Sequence, residues 1–109
     1  GYLTGKYRNN KMPKNSRMDL FYENYPRYHN QRTYDAVDEY FNIAKKHKIS
    51  LTQLSQAFVN SRDFVTSNII GATTMDQLRE NIESIKISLS QDIMAEINSI
   101  HENIPNPAP

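Results

Sequence analysis

The chain has 109 residues, with 13 Lys and Arg against 12 Asp and Glu, a net charge of +1 and no cysteine. That length suits one small domain with a modest core. The balanced charge gives no reason to expect a nucleic acid, and the lack of cysteine excludes disulfides and thiolate metal sites and fits a reducing, cytoplasmic setting. No apolar run approaches the roughly 18–20 residues that cross a bilayer, and no signal-peptide pattern is present. The first residue is Gly rather than Met, so the chain is expected to start inside a longer gene product or after processing.

In chain order, residues 1–7 read as the end of a strand entering a loop, with Gly1 and Gly5 on either side of Thr4. Residues 8–31 are polar, hold Pro13 and Pro26, and keep no period of 2 or 3.6; a long loop is predicted. Tyr22, Tyr25, Tyr28 and Tyr34 interleave with Arg27, His29 and Arg32. Stacking on RNA bases is one reading, but neither spacing nor charge density matches a nucleic-acid module, and a loop packing on a missing partner fits better.

Val37, Tyr40, Phe41 and Ala44 recur at helical spacing and predict a helix over 33–47, capped by Thr33 or Asp35, with Lys45, Lys46 and His47 at its C-terminal end. Ser50-x-x-Gln53 is a capping box for a second helix ending near Asn60, with Leu51, Leu54, Ala57 and Phe58 inward. Residues 65–70 read as a short buried strand. Thr74-x-x-Gln77 then caps a third helix over 74–84, with Leu78, Ile82 and Ile85 inward. Ser90 caps a fourth over 90–103, with Ile93, Ile97, Ile100 and Ile104 on one stripe, and the tail 105–109 is expected to fray. His29, His47 and His101 are expected at the surface, with no metal-ligand spacing among them.

A strand ending at Gly71, followed by a capped helix N-terminus, is a natural phosphate site. The first amides of a helix have no intrahelical acceptor, and the dipole favours negative charge there. Against this stands the ordinary reading of a capped helix after a strand. A lone strand also lacks a ladder partner. The chain is therefore expected either to self-associate or to be the tail of a larger α/β domain.

Gly1-Tyr-Leu-Thr-Gly-Lys-Tyr7, Ser16-Arg17, Ile43-Ala44-x-x-His47, Ser50-Leu51-x-Gln53-Leu54 and Ile69-Ile-Gly-Ala-Thr-Thr-Met-x-Gln-Leu-x-Glu-Asn81 together resemble the C-terminal third of an aldo-keto reductase. The likeness is to the bacterial branch that is also similar to potassium-channel β subunits. It implies the fold class α/β: a segment from the end of strand 7 to the final helix of a TIM (β/α)8 barrel. As an isolated chain, the single partial domain 1–109 should be mostly α-helical.

The resemblance implies NADP(H) as cofactor. Lys6 would reach its diphosphate. Ser16 and Arg17 belong to a loop that folds over it, Arg17 pairing with a phosphate. Gly71 would allow close approach of the adenosine end, and Thr73 would donate to the 2′-phosphate. Gln77, Glu80 and Asn81 would grip the ribose phosphate and adenine. Some branches carry Arg at the position of Gln77, so preference for NADPH over NADH stays open. The family's catalytic Tyr, Lys, Asp and His come from earlier strands. This chain supplies no catalytic residue, and its isolated form is expected to be inactive. The complete enzyme would reduce a small-molecule aldehyde or ketone; the alternative is a truncated, non-catalytic regulatory or interaction subunit that self-associates.

Overall fold

A computed structural model describes residues 1–109. Five α-helices are interspersed with short 3-10 turns: α1 (Arg17–Phe21), α2 (Gln31–Lys46), α3 (Leu51–Asn60), α4 (Met75–Glu83) and α5 (Gln91–Asn103). Single 3-10 turns occupy Tyr2–Thr4, Arg8–Asn10, Tyr22–Asn24, Pro26–Tyr28 and Ser84–Lys86.

The helices start where local chemistry supplies a first acceptor. Ser16, Asn30, Ser50, Thr74 and Ser90 each accept from the backbone N–H three residues on, removing one unsatisfied donor per helix. At α3 the box is complete, because the Gln53 side chain also accepts from the Ser50 N–H. The cap of α2 is Asn30, not Thr33 or Asp35. The Asn30 side chain reaches the Thr33 N–H at 3.0 Å and Thr33 is buried, so the helix begins two residues earlier than its apolar period indicates.

The core is the seam of α2, α3 and α5. Val37, Ile43, Ala44, Leu51, Leu54, Ile93, Ile97 and Ile100 form one buried cluster. The isoleucine stripe of the last helix is therefore covered within the isolated chain at Ile93, Ile97 and Ile100, by residues of α2 and α3. The tail does not fray freely. Arg32 donates to the carbonyl of Pro105 and the Thr33 hydroxyl to that of Pro107.

Four further expectations are corrected. Residues 65–70 form no strand. Their β propensity is non-local in effect, and no second strand lies alongside to complete a ladder. Residues 2–4 are a 3-10 turn rather than a strand end, closed by Gly5 at φ 76°, a left-handed conformation suited to glycine. Residues 8–31 carry α1 and three 3-10 turns instead of an unstructured loop. Finally, α4 does not turn Ile82 inward, and Ile85 just beyond it is also exposed. Its buried positions are Asn81 and, at the following turn, Ser84, because polar bonds orient this helix: Glu80 accepts from the Ser50 hydroxyl and Asn81 binds Gly71.

Of the histidines, His101 is exposed, whereas His29 stacks on Tyr22 at 3.6 Å and His47 binds Glu96. The latter two are structural contacts rather than free surface groups. The tyrosine-rich stretch likewise finds its partner within the chain: Tyr28 stacks on Tyr2 at 5.2 Å, and the Tyr2 hydroxyl lies 3.0 Å from His29 Nδ1.

Candidate functional site

Three pieces of chain meet beside the start of α4: the turn at 1–6, the first turn of α3 and the segment 71–81. Between them lies a cavity of about 250 Å³ lined by Gly1, Thr4, Lys6, Thr52, Gly71, Gln77, Glu80 and Asn81, with no hydrophobic residue among them. Five of the eight residues picked out in the sequence, Lys6, Gly71, Gln77, Glu80 and Asn81, therefore share one polar pocket.

The geometry follows from the helix start. Residues 71–73 are irregular, Thr74 is the N-cap and α4 begins at Met75. Gln77 Oε1 accepts from the Thr73 N–H at 2.9 Å and the Thr73 hydroxyl at 3.1 Å, which places Thr73 against the pocket-lining Gln77. Asn81 Nδ2 donates to the Gly71 carbonyl at 3.3 Å and closes the turn. The N–H groups of Gly71 and Ala72 have no acceptor in the protein. A Cβ built on Gly71 would meet nothing within 4 Å, so the protein itself leaves this approach open.

Charge is divided across the pocket. Lys6 forms no ion pair; its ammonium sits 5.2 Å from the Tyr7 ring centroid. The carboxylate of Glu80 accepts from the Ser50 hydroxyl and lines the same pocket. Such a site can neutralise an anion at Lys6 and accept a hydroxyl or amino proton at Glu80.

Arg17 lies in an adjoining cavity of about 400 Å³ that shares Gly1, Thr4 and Thr52 with the first. Arg17 has no carboxylate partner and its guanidinium lies 5.9 Å from the Tyr25 ring. Ser16 stands apart. It is buried and its hydroxyl accepts from the Asp19 N–H as the cap of α1, so it orients Arg17 and faces neither cavity.

Thr52 was not legible as a site residue. It stands two positions after the Ser50 cap, and that place in the first turn of α3 is the only signal it gives. Thr4 carried a hint in the glycines around it; its hydroxyl donates to the Gly1 carbonyl at 2.8 Å.

Comparison with known proteins bears on what this pocket belongs to. The Aldo/keto reductase family matches residues 1–102. The chain is 45% identical over 109 residues to Protein tas of Escherichia coli (strain K12), a match covering 100% of this chain and 31% of that protein. It is 39% identical over 105 residues to an aldo-keto reductase of Babesia bovis, covering 93% of this chain and 37% of the relative. It is 32% identical over 111 residues to a protein of Oryza sativa subsp. japonica named "Probable voltage-gated potassium channel subunit beta", covering 96% and 33%. The chain thus spans about a third of the length of these curated relatives. Because the family match runs through nearly the whole sequence and takes in every residue of the polar pocket, the chain belongs to the aldo/keto reductase family.

Proposed function

We propose that this chain is the NADP(H)-binding C-terminal portion of an aldo-keto reductase whose complete form reduces aldehydes or ketones at the expense of NADPH. The observation that carries the reading is the convergence of Lys6, Gly71, Gln77, Glu80 and Asn81 on one pocket at the N-terminus of α4. In this reading Lys6 and Arg17 take the phosphates. The free amides at Gly71–Ala72 and the carboxamide of Gln77 face the ribose phosphate, and Glu80 accepts from the adenine amino group. In the parent barrel, residues 1–4 would end strand 7 and 65–70 would become strand 8.

The bound cofactor would supply hydride to a carbonyl carbon. The residues here would bind and orient its adenosine end and perform no proton transfer. The isolated chain should therefore turn over no NADPH with a generic aldehyde, and measurable turnover would overturn that part of the proposal.

The direct test is titration of the chain with adenosine nucleotides carrying or lacking a 2′-phosphate. Binding of the 2′-phosphorylated compound that weakens about tenfold in Arg17→Ala or Gln77→Ala, as loss of one charge-assisted hydrogen bond should produce, supports the site. Equal binding by the parent and both variants would contradict it.

A second reading draws on the rice relative. Its printed name makes a channel β subunit of it, and a fold can serve as an interaction scaffold without catalysis. An upstream reading frame carrying the remaining barrel strands and catalytic motifs favours the reductase; a start codon near Gly1 favours the interaction subunit.

A further inference from the structure

The hydroxyl of Ser50 joins α3 to the polar pocket. Ser50 is the N-cap of α3, and its oxygen accepts from the Gln53 N–H at 3.0 Å. The Gln53 side chain answers by accepting from the Ser50 N–H, also at 3.0 Å. A serine hydroxyl has one proton. With its acceptor side engaged by the helix, that proton goes to Glu80 Oε1 on α4. The capping box therefore fixes the direction in which Ser50 donates as well as the start of α3. A cap needs an acceptor alone, so the bond given to Glu80 is surplus to capping.

Glu80 depends on that bond. No other hydrogen bond and no ion pair holds its side chain, and it lines the pocket together with Lys6. A glutamate on a helix surface has several open rotamers, and settling on one costs conformational entropy. Ser50 makes the choice before any ligand arrives. Glu80 Oε1 is taken, whereas Oε2 has no partner in the protein and is left to accept. We propose that Ser50 is a positioning residue of this pocket: it sets the Glu80 carboxylate for the adenine amino group and so makes the site selective for that base. The proposal rests on the NADP(H) reading of the pocket. What it adds is that base selectivity depends on the cap of α3, a helix apart from the one that carries the carboxylate. Without the bond, Glu80 is free to turn to Lys6, the unpaired cation of the same pocket. That movement would weaken nucleotides with and without the amino group, and it would erase the difference between them.

Two probes isolate that difference: adenosine 2′,5′-bisphosphate and its analogue with hydrogen in place of the 6-amino group. Titrated into the full chain, the parent should favour the first by about tenfold, the usual worth of one hydrogen bond to a charged group. Ser50→Gly removes the hydroxyl while glycine remains an acceptable N-cap, and its preference should fall below about threefold. Ser50→Thr returns the hydroxyl and should return the preference. Ser90→Ala weakens the cap of α5 and touches no residue of the pocket, so it should keep the preference even where both affinities drop. A parent that binds both probes equally, a Ser50→Gly chain that keeps the full preference, or a Ser90→Ala chain that loses it would overturn the proposal and leave the NADP(H) reading standing. A parent that binds neither probe would overturn both.

Discussion

Asn81 Nδ2 donates to the carbonyl oxygen of Gly71 across 3.3 Å, joining the second turn of α4 to the irregular stretch that precedes the helix. Asn81 is 8% exposed. This bond fixes the entry of the chain into α4 and with it the shape of the polar pocket. Replacing Asn81 by Ala should lower stability by about 1 kcal/mol, the usual net loss for one such hydrogen bond, measured by urea unfolding. A change below a few tenths of a kcal/mol would mean that the turn is held by other contacts.

Ser50 has one partner within its own turn of helix and one beyond it: its hydroxyl accepts from Gln53 N–H at 3.0 Å and donates to Glu80 of α4. Ser90 caps α5 by accepting from Ile93 alone. Ser90→Ala should therefore cost about 1 kcal/mol and Ser50→Ala about 2 kcal/mol, since the second also strands a carboxylate. Denaturant midpoints of the two variants give the order directly, and a reversed order would contradict the coupling between α3 and α4.

Glu96 accepts from His47 Nε2 at 2.9 Å and from Lys46 Nζ at 3.0 Å, tying α5 to the C-terminal end of α2. The His47 contact first, then Lys46, hold the Glu96 carboxyl below its ordinary value of 4.5. A depressed acid stabilises the fold above its unfolded pKa, and that contribution is lost as pH falls through the lower folded value. Melting temperature should accordingly drop below pH 4.5 more steeply in the parent than in Glu96→Gln. Parallel curves for the two chains would remove this ion pair from the account.

Tyr2 is pushed up to about 12 by burial first, with Tyr34 next. An acid whose folded pKa is raised stabilises the fold below its unfolded value and loses that contribution as pH climbs through the folded one. Ultraviolet titration of the seven tyrosines should show a late-titrating group near 12 that vanishes in Tyr2→Phe. Its persistence in that variant would assign the late step to another tyrosine.

The helices were legible because their signals are local. Ser50, Thr74 and Ser90 stand three residues before the N–H groups that donate to them, and Val37 and Ala44 in α2, Leu51 and Leu54 in α3, and Ile93, Ile97 and Ile100 in α5 recur at helical spacing. Asn30 was passed over because Thr33 is an equally good cap by type; only its burial against the tail decides the matter. The element α1 was also written in the chain, as Ser16-x-x-Asp19, where Asp19 returns a bond to the N–H of Asn15 at 2.7 Å. The 65–70 strand failed for the opposite reason: a strand exists only beside another strand, and no local pattern guarantees the neighbour. Of the pocket, Lys6, Gln77, Glu80 and Asn81 came from motif likeness, whereas their meeting with Thr52 depends on how α3 lies beside α4.

The carbonyl of Pro107 holds the hydroxyl of Thr33, a residue 4% exposed, and Pro105 holds the guanidinium of Arg32. An exopeptidase that trimmed the chain back to Asn103 would thus be felt 70 positions away, at the opening turn of the longest helix. The prolines that end α5 serve as a clasp for α2, and shaving them off should quicken amide exchange there before it disturbs the isoleucine seam.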